Sequence, residues 1–186
     1  MSHRISIGLA CASVAALAAS VALAAAPPAA APERPAAAAA KPAGPGDKAR
    51  IEALEARFAA AFNAKDVAKI MSFYSREGLF VFDVSPPREH VGWEDYKKDW
   101  EGLFATTPGP VTFKISDLSV TVVGPVAYGH SIQDLRWTAA NGQAAELTVR
   151  VTDVYREQAG KWRIVQEHVS APVDLDTGKA DLLSKP

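Results

Sequence analysis

The side chains best suited to chemistry gather in the stretch Gln143–Pro172, which holds Arg150, Asp153, Glu167 and His168. His130 and Asp83 stand upstream of it. An imidazole titrates near neutral pH, so His130 and His168 are candidate general bases or pocket contacts, against a purely structural role as strand histidines. Asp153 follows Val149 and Val151 at strand spacing, so its face is otherwise apolar. A carboxyl buried there must have a raised pKa or a cationic partner such as Arg150 or Arg136. Asp83 ends the apolar run Leu79–Asp83 and is a second carboxylate candidate, while Glu167 and Asp134 read as exposed or structural. Together Asp83, Asp153, His130 and His168 form the candidate catalytic set.

Other chemistries lack their residues. Net charge is −1, and no Lys/Arg cluster follows residue 47, which excludes the basic stripe of a nucleic-acid binder. The histidines His3, His90, His130 and His168 lack close ligand spacing and the lone cysteine is Cys11, so no metal set is expected. No glycine-rich phosphate loop and no serine nucleophile elbow occurs. The expectation is chemistry without a cofactor, if the chain is an enzyme at all.

The elements that must position these groups follow from periodicity. Ile51, Leu54, Phe58, Ala61 and Phe62 recur at helical steps from about Asp47, and Asp66 caps a short second helix through Ile70, Phe73 and Tyr74. After the Leu79–Asp83 strand and its Ser85-Pro86-Pro87 break, Trp93, Tyr96, Trp100, Leu103 and Phe104 mark a third helix. Trp93, Tyr96 and Trp100 either line an aromatic pocket, with Arg150 as a further ligand contact, or simply pack the core. Four successive strands follow: Val111–Val123, Val126–Thr138 and the two strands of Gln143–Pro172, joined at Gly124-Pro125, Asn141-Gly142 and Gln158-Ala159-Gly160. Helices followed by a run of strands indicate an α+β fold. Tight turns require antiparallel pairing, and a long antiparallel sheet twists and curves. Helices over its concave face enclose a cone-shaped cavity suited to a small molecule.

Across the last hairpin, alternation places Arg150 with Thr148 and Thr152, and Asp153 with Val149, Val151 and Tyr155. It places Trp162, Ile164, Gln166 and His168 on one face, and Val165, Glu167 and Val169 on the other. Two sites are therefore open, Asp153 with His130 or Arg150 with His168, and the turn between Arg156 and Lys161 is expected to decide between them.

The N-terminal region reads as an address and a tether. Residues 1–24 have a positive start at His3 and Arg4, an apolar run, and an Ala22-Leu23-Ala24 cleavage site, the plan of a signal peptide. Residues 25–47 are Pro/Ala-rich and read as a disordered linker. The folded domain is expected over 48–172, with a tail over 173–186. The mature protein is expected to be exported, periplasmic or secreted, with no stable membrane span after signal cleavage.

The closing hairpin RVTDVYREQAGKWRIVQEHVSAP, the segment AYGH (Ala127–His130) and GWEDYKKDW (Gly92–Trp100) resemble the SnoaL-like, ketosteroid isomerase-like branch of the nuclear-transport-factor-two-like superfamily. The resemblance implies a strongly curved antiparallel sheet covered by N-terminal helices, forming a cone. It also implies a small, largely apolar or amphipathic ligand, acid–base chemistry of an isomerase, lyase or hydrolase type, and a homodimer. A different function within the same resemblance is a non-catalytic oligomerisation or protein-interaction module. The related kinase association domain has charged pocket residues at the positions of His130, Asp153 and Val169, which favours the Asp153 face as the inner one. Those positions here are a histidine, an acid and an apolar residue, so that domain's ligand preference does not transfer.

Overall fold

The computed structural model describes residues 44–139 and 141–184; the expected signal peptide and all but the end of the expected linker lie outside them. Three helices, α1 (Asp47–Asn63), α2 (Val67–Met71) and α3 (Trp93–Thr106), accompany six strands. The strands are β1 (Phe80–Phe82), β2 (His90–Val91), β3 (Val111–Val123), β4 (Val126–Thr138), β5 (Ala144–Gln158) and β6 (Lys161–Ser170). They form one curved, open α+β sheet in the order β2-β1-β6-β5-β4-β3.

The long strands β3 to β6 pair antiparallel, as their short connections require. β1 adds to β6 in parallel, because the chain reaches it through the helical layer rather than through a hairpin. Two irregularities bend the sheet. One lies in β3 between Ser116 and Ser119, where Asp117 has φ 51°, and the other lies in β6 opposite Val154 and Tyr155.

The apolar stripe of α1 buries Ile51, Leu54, Phe58, Ala61 and Phe62 against the sheet. Phe58 sits at the centre, its ring 6.0–6.4 Å from those of Phe62, Phe73, Tyr74, Trp100 and Phe113. Phe62 stacks on Phe113 at 4.2 Å. The end of α1 is pinned by Asn63, whose side chain donates to the Phe113 carbonyl at 3.0 Å and accepts from the Phe113 N–H at 2.8 Å. The amide thus completes a backbone pair on the β3 edge. At the other end, buried Asp47 accepts from Trp162 Nε1 and from Arg50, tying the helix start to the β5–β6 hairpin. Beyond β6 the tail turns back, and the Thr148 N–H donates to the Leu182 carbonyl at 2.8 Å, satisfying β5 where β6 has ended.

Candidate functional site

The β5–β6 turn is the two-residue pair Ala159-Gly160, with φ 48° and 74°, and Gln158 faces Lys161. The turn alone does not decide which faces meet. Val154 pairs with Gln166, but Tyr155 pairs with Ile164, leaving Val165 as an extra residue. That bulge shifts the alternation of β6 by one. Trp162 and Ile164 point inward before it, and Glu167 points inward after it. The expectation that Trp162, Ile164, Gln166 and His168 share a face is corrected accordingly, and of the two readings of Glu167, exposed or structural, its burial removes the first.

The inner face therefore carries Asp153 beside Glu167 in register, with Val81 on Glu167's other side. Asp153 is 3 % exposed and Glu167 4 %. A third acid, Glu55 of α1, is equally buried. Three tyrosines supply the hydrogen bonds. Tyr96 and Tyr74 donate to the two oxygens of Glu167 at 2.6 and 2.8 Å. Tyr155 donates to Glu55 at 2.9 Å and lies 3.3 Å from Asp153 Oδ2. Gly129, opposite Asp153 on β4, makes room for this ring, since a Cβ there would meet the Tyr155 ring at 3.4 Å and the Ser119 carbonyl at 3.1 Å.

No cation neutralises this trio among its described contacts, so protonation must. Burial pushes the Glu167 carboxyl up to about 7, with the tyrosine hydroxyls holding it down and the Asp83 charge raising it. Burial likewise raises Glu55 to about 7, against the Tyr155 hydrogen bond. Burial, then the charges of Glu167 and Glu55, drive Asp153 well above the usual carboxylate range. Asp153 Oδ1 is buried without a conventional partner, and the carboxyl adjoins Glu167. Two carboxylate oxygens are both acceptors, so their contact is a hydrogen bond only with a proton between them. Burial and the repulsion between neighbouring carboxylates raise both groups, which favours a protonated pair.

Glu167 also faces a cavity of about 440 Å³ between the sheet and the helices. Phe58, Phe62, Trp100, Leu103, Phe113, Leu135, Leu147, Val149 and Val169 form its apolar walls. Tyr96 and Glu167 supply polar groups inside, and Asp83, Ser85, Lys98 and Asp99 stand at its rim. Trp100 Nε1 is buried and has no hydrogen-bond partner among the described residues. The cavity thus offers a donor, a carboxyl that titrates at about 7 and apolar walls.

Of the residues singled out from sequence, Asp83, Tyr96 and Trp100 line this cavity, and Asp153 lies behind Glu167. The others fall elsewhere. His130, Arg150 and His168 are exposed on the outer face, where His130 and His168 flank Thr152 in register. His168 packs on Phe82 at 5.5 Å. Neither histidine shares a face with Asp153, so neither pairing foreseen across the hairpin forms a cavity site. Trp93, at the first turn of α3, donates its indole N–H to the Met71 carbonyl and stacks under Arg76 at 3.7 Å, outside the cavity. Glu55 and His90 lay outside the candidate set, and Glu167, noted among the chemical side chains, was set aside as exposed or structural. Glu55 was visible as a stripe position, four residues after Ile51 and three before Phe58.

His90 is brought in by β2, which pairs with β1 so that His90 faces Val81. Val81 is fully buried, and Asp83 repeats its side two residues on. One turn apart on α3, Asp95 and Asp99 approach His90 from above, Asp95 Oδ2 at 3.3 Å from Nδ1 and Asp99 Oδ1 at 3.8 Å from Nε2. The Asp99 carboxyl is raised by partial burial and by Asp83.

Comparison with known proteins agrees with this architecture. A crystal structure of an NTF2-like protein of unknown function from Pseudomonas putida KT2440 is 28% identical, with a TM-score of 0.68, covering 75% of this chain and 96% of that one. A nuclear transport factor 2 (NTF2-like) superfamily protein from Salmonella enterica serovar Typhimurium is 21% identical, with a TM-score of 0.62 over 71% of this chain and 95% of its own. A ketosteroid isomerase-like protein from Erwinia carotovora atroseptica is 21% identical, with a TM-score of 0.57 over 67% and 95%. The last two likenesses speak to the fold alone. No curated protein matches the chain. The SnoaL-like domain family matches residues 51–174, and the chain belongs to that family.

Proposed function

We propose that this is an exported SnoaL-like protein that holds a small, largely apolar or amphipathic molecule in its cavity and transfers a proton on it through Glu167. The observation that carries this reading is a carboxyl with a pKa of about 7 inside an apolar cavity, held by two tyrosine hydroxyls. A group titrating near the working pH serves both as base and as acid. Tyr96 and Tyr74 orient the Glu167 oxygens, and Asp153 carries a proton next to them. The Trp100 N–H is a free donor for a ligand oxygen. Such an arrangement suits isomerase- or lyase-type proton transfer on a molecule with one polar end.

The test has two parts. A neutral polarity-sensitive fluorophore, N-phenyl-1-naphthylamine, is titrated into the wild type and into Leu147→Trp, which fills the cavity. Saturable binding lost in the variant is expected; absence of binding, or binding indifferent to Leu147→Trp, refutes the site. Deuterium exchange into a panel of enolisable cyclic ketones, followed by NMR, then tests proton transfer. Wild-type exchange should fall by about 10²-fold or more in Glu167→Gln.

Export rests on the segment ending Ala22-Leu23-Ala24, and mass spectrometry of the mature N-terminus tests it. A second reading, self-association, is favoured by exposed Val123, Val126 and Tyr128 around the β3–β4 turn. A homodimer through this patch would be lost in Tyr128→Lys, as read by light scattering; a monomeric wild type would dispose of it.

A further inference from the structure

We propose that Asp83, His90 and Asp99 form a binding site for a divalent first-row transition cation at the rim of the cavity. One ligand atom from each lies within 4.8 Å of the others. The residues come from three elements: Asp83 follows β1, His90 is in β2 and Asp99 is on α3.

The imidazole points to a ligand. His90 is 4 % exposed, and its Nε2 has no hydrogen-bond partner among the described residues. Its Nδ1 faces Asp95 Oδ2 at 3.3 Å, and the same oxygen accepts from the Val91 N–H. An N–H on Nδ1 satisfies Asp95 and leaves a lone pair on Nε2. That nitrogen is buried, Asp99 Oδ1 lies 3.8 Å from it, and Asp83 completes a cluster whose ligand atoms lie within 4.8 Å of one another. A cation among these acceptors satisfies all three. A histidine that binds a metal through one nitrogen and is oriented by a carboxylate on the other is the usual outer-shell arrangement of such sites.

The donor set selects the ion. One imidazole with two carboxylates suits Zn²⁺, Mn²⁺ or Fe²⁺, whereas Mg²⁺ and Ca²⁺ prefer all-oxygen shells and Cu(I) prefers sulfur. Metal–ligand bonds of about 2.0–2.2 Å bring donor atoms closer together than here, so the carboxylates must swing inward. Among the described residues Asp83 accepts hydrogen bonds from Ser85 alone, at 3.1 and 3.4 Å, and it is half-buried, so it can turn. Asp83 and Asp99 both line the cavity, so the open positions of the ion face a bound molecule. The site stands on its own geometry and does not require that Glu167 transfer protons, although the Asp83 charge also raises the Glu167 pKa.

The test uses the tag-free full chain, freed of metal with EDTA and dialysed. Zn²⁺ binding is followed by calorimetry, and Co²⁺ by its visible absorption. One ion per chain is expected, bound at least tenfold more weakly by His90→Gln and by Asp99→Asn, and about 10–100-fold more weakly by Asp95→Asn. His168→Gln, on the outer face, should bind as the wild type does. Should His90→Gln lose its near-ultraviolet dichroism, Asp83→Asn at the half-exposed ligand replaces it. Absence of saturable binding, or binding that survives both His90→Gln and Asp99→Asn, overturns the proposal.

Discussion

Replacing Glu167 by glutamine should make the protein more stable in alkali and change it little in mild acid. In the folded chain Glu55 and Glu167 titrate at about 7 instead of 4.5, and Asp153 titrates well above its ordinary 3.8. At pH 5 to 7 the folded state therefore holds protons that the unfolded chain has released. Stability is highest below the unfolded pKa values and falls as pH rises through the folded ones. The slope is about 1.4 kcal/mol per pH unit for each such proton. A shift from 4.5 to about 7 makes one glutamate worth about 3 kcal/mol across the whole window. Both groups are almost completely buried, so solvent screening takes little from this figure. The lowered aspartates Asp47, Asp174 and Asp181 act with the opposite sign, but only as pH falls through their pKa values below 3.8. The amide introduced by Glu167→Gln cannot ionise, and the loss of a like charge also eases Glu55 and Asp153. Urea unfolding in EDTA, followed by circular dichroism at pH 5 and pH 8.5, measures the effect. The wild type should lose at least about 3 kcal/mol between the two pH values, about 1–3 M in midpoint. Glu167→Gln should lose about 3 kcal/mol less. A wild type whose stability is flat or rises over this range, or a variant that shifts both pH values equally, would refute a protonated carboxyl trio.

Two further substitutions separate packing from the polar network. Tyr155→Phe removes the donor to Glu55, so it should cost about 1–3 kcal/mol at pH 8.5, where Glu55 is ionised, and less at pH 5, by the same urea assay. Phe58→Ala empties the centre of the aromatic cluster and should cost about 3–5 kcal/mol at both pH values, because no titrating group is involved.

The fold was largely legible because its signals are periodic. The α1 stripe, the strand alternation and the Asn141-Gly142 and Ala159-Gly160 turns each specify an element locally. The site was less legible because it depends on departures from periodicity. Val165 makes a bulge that no residue type announces, and it turns Glu167 inward and His168 outward. His90 sits in a two-residue strand next to a proline-broken loop, too short to show alternation. Its partners Asp95 and Asp99 were visible as an i, i+4 pair on α3, but only the β1–β2 pairing brings Asp83 and His90 beneath them. Trp93 illustrates the converse. It shares helical spacing with Tyr96 and Trp100, yet at the first turn of α3 it packs on Arg76 rather than on the cavity.

The central claim is that Glu167 changes protonation near neutral pH inside a cavity that accepts a ligand. Its most direct measurement is the infrared difference spectrum of wild type against Glu167→Gln, titrated from pH 4 to pH 10 with and without N-phenyl-1-naphthylamine. The expected result is a protonated-carboxyl band that is lost with a midpoint of about 7, is absent from the variant, and moves to higher pH when the apolar ligand excludes water. A Glu167 band lost below pH 5, or a midpoint indifferent to the ligand, would contradict it.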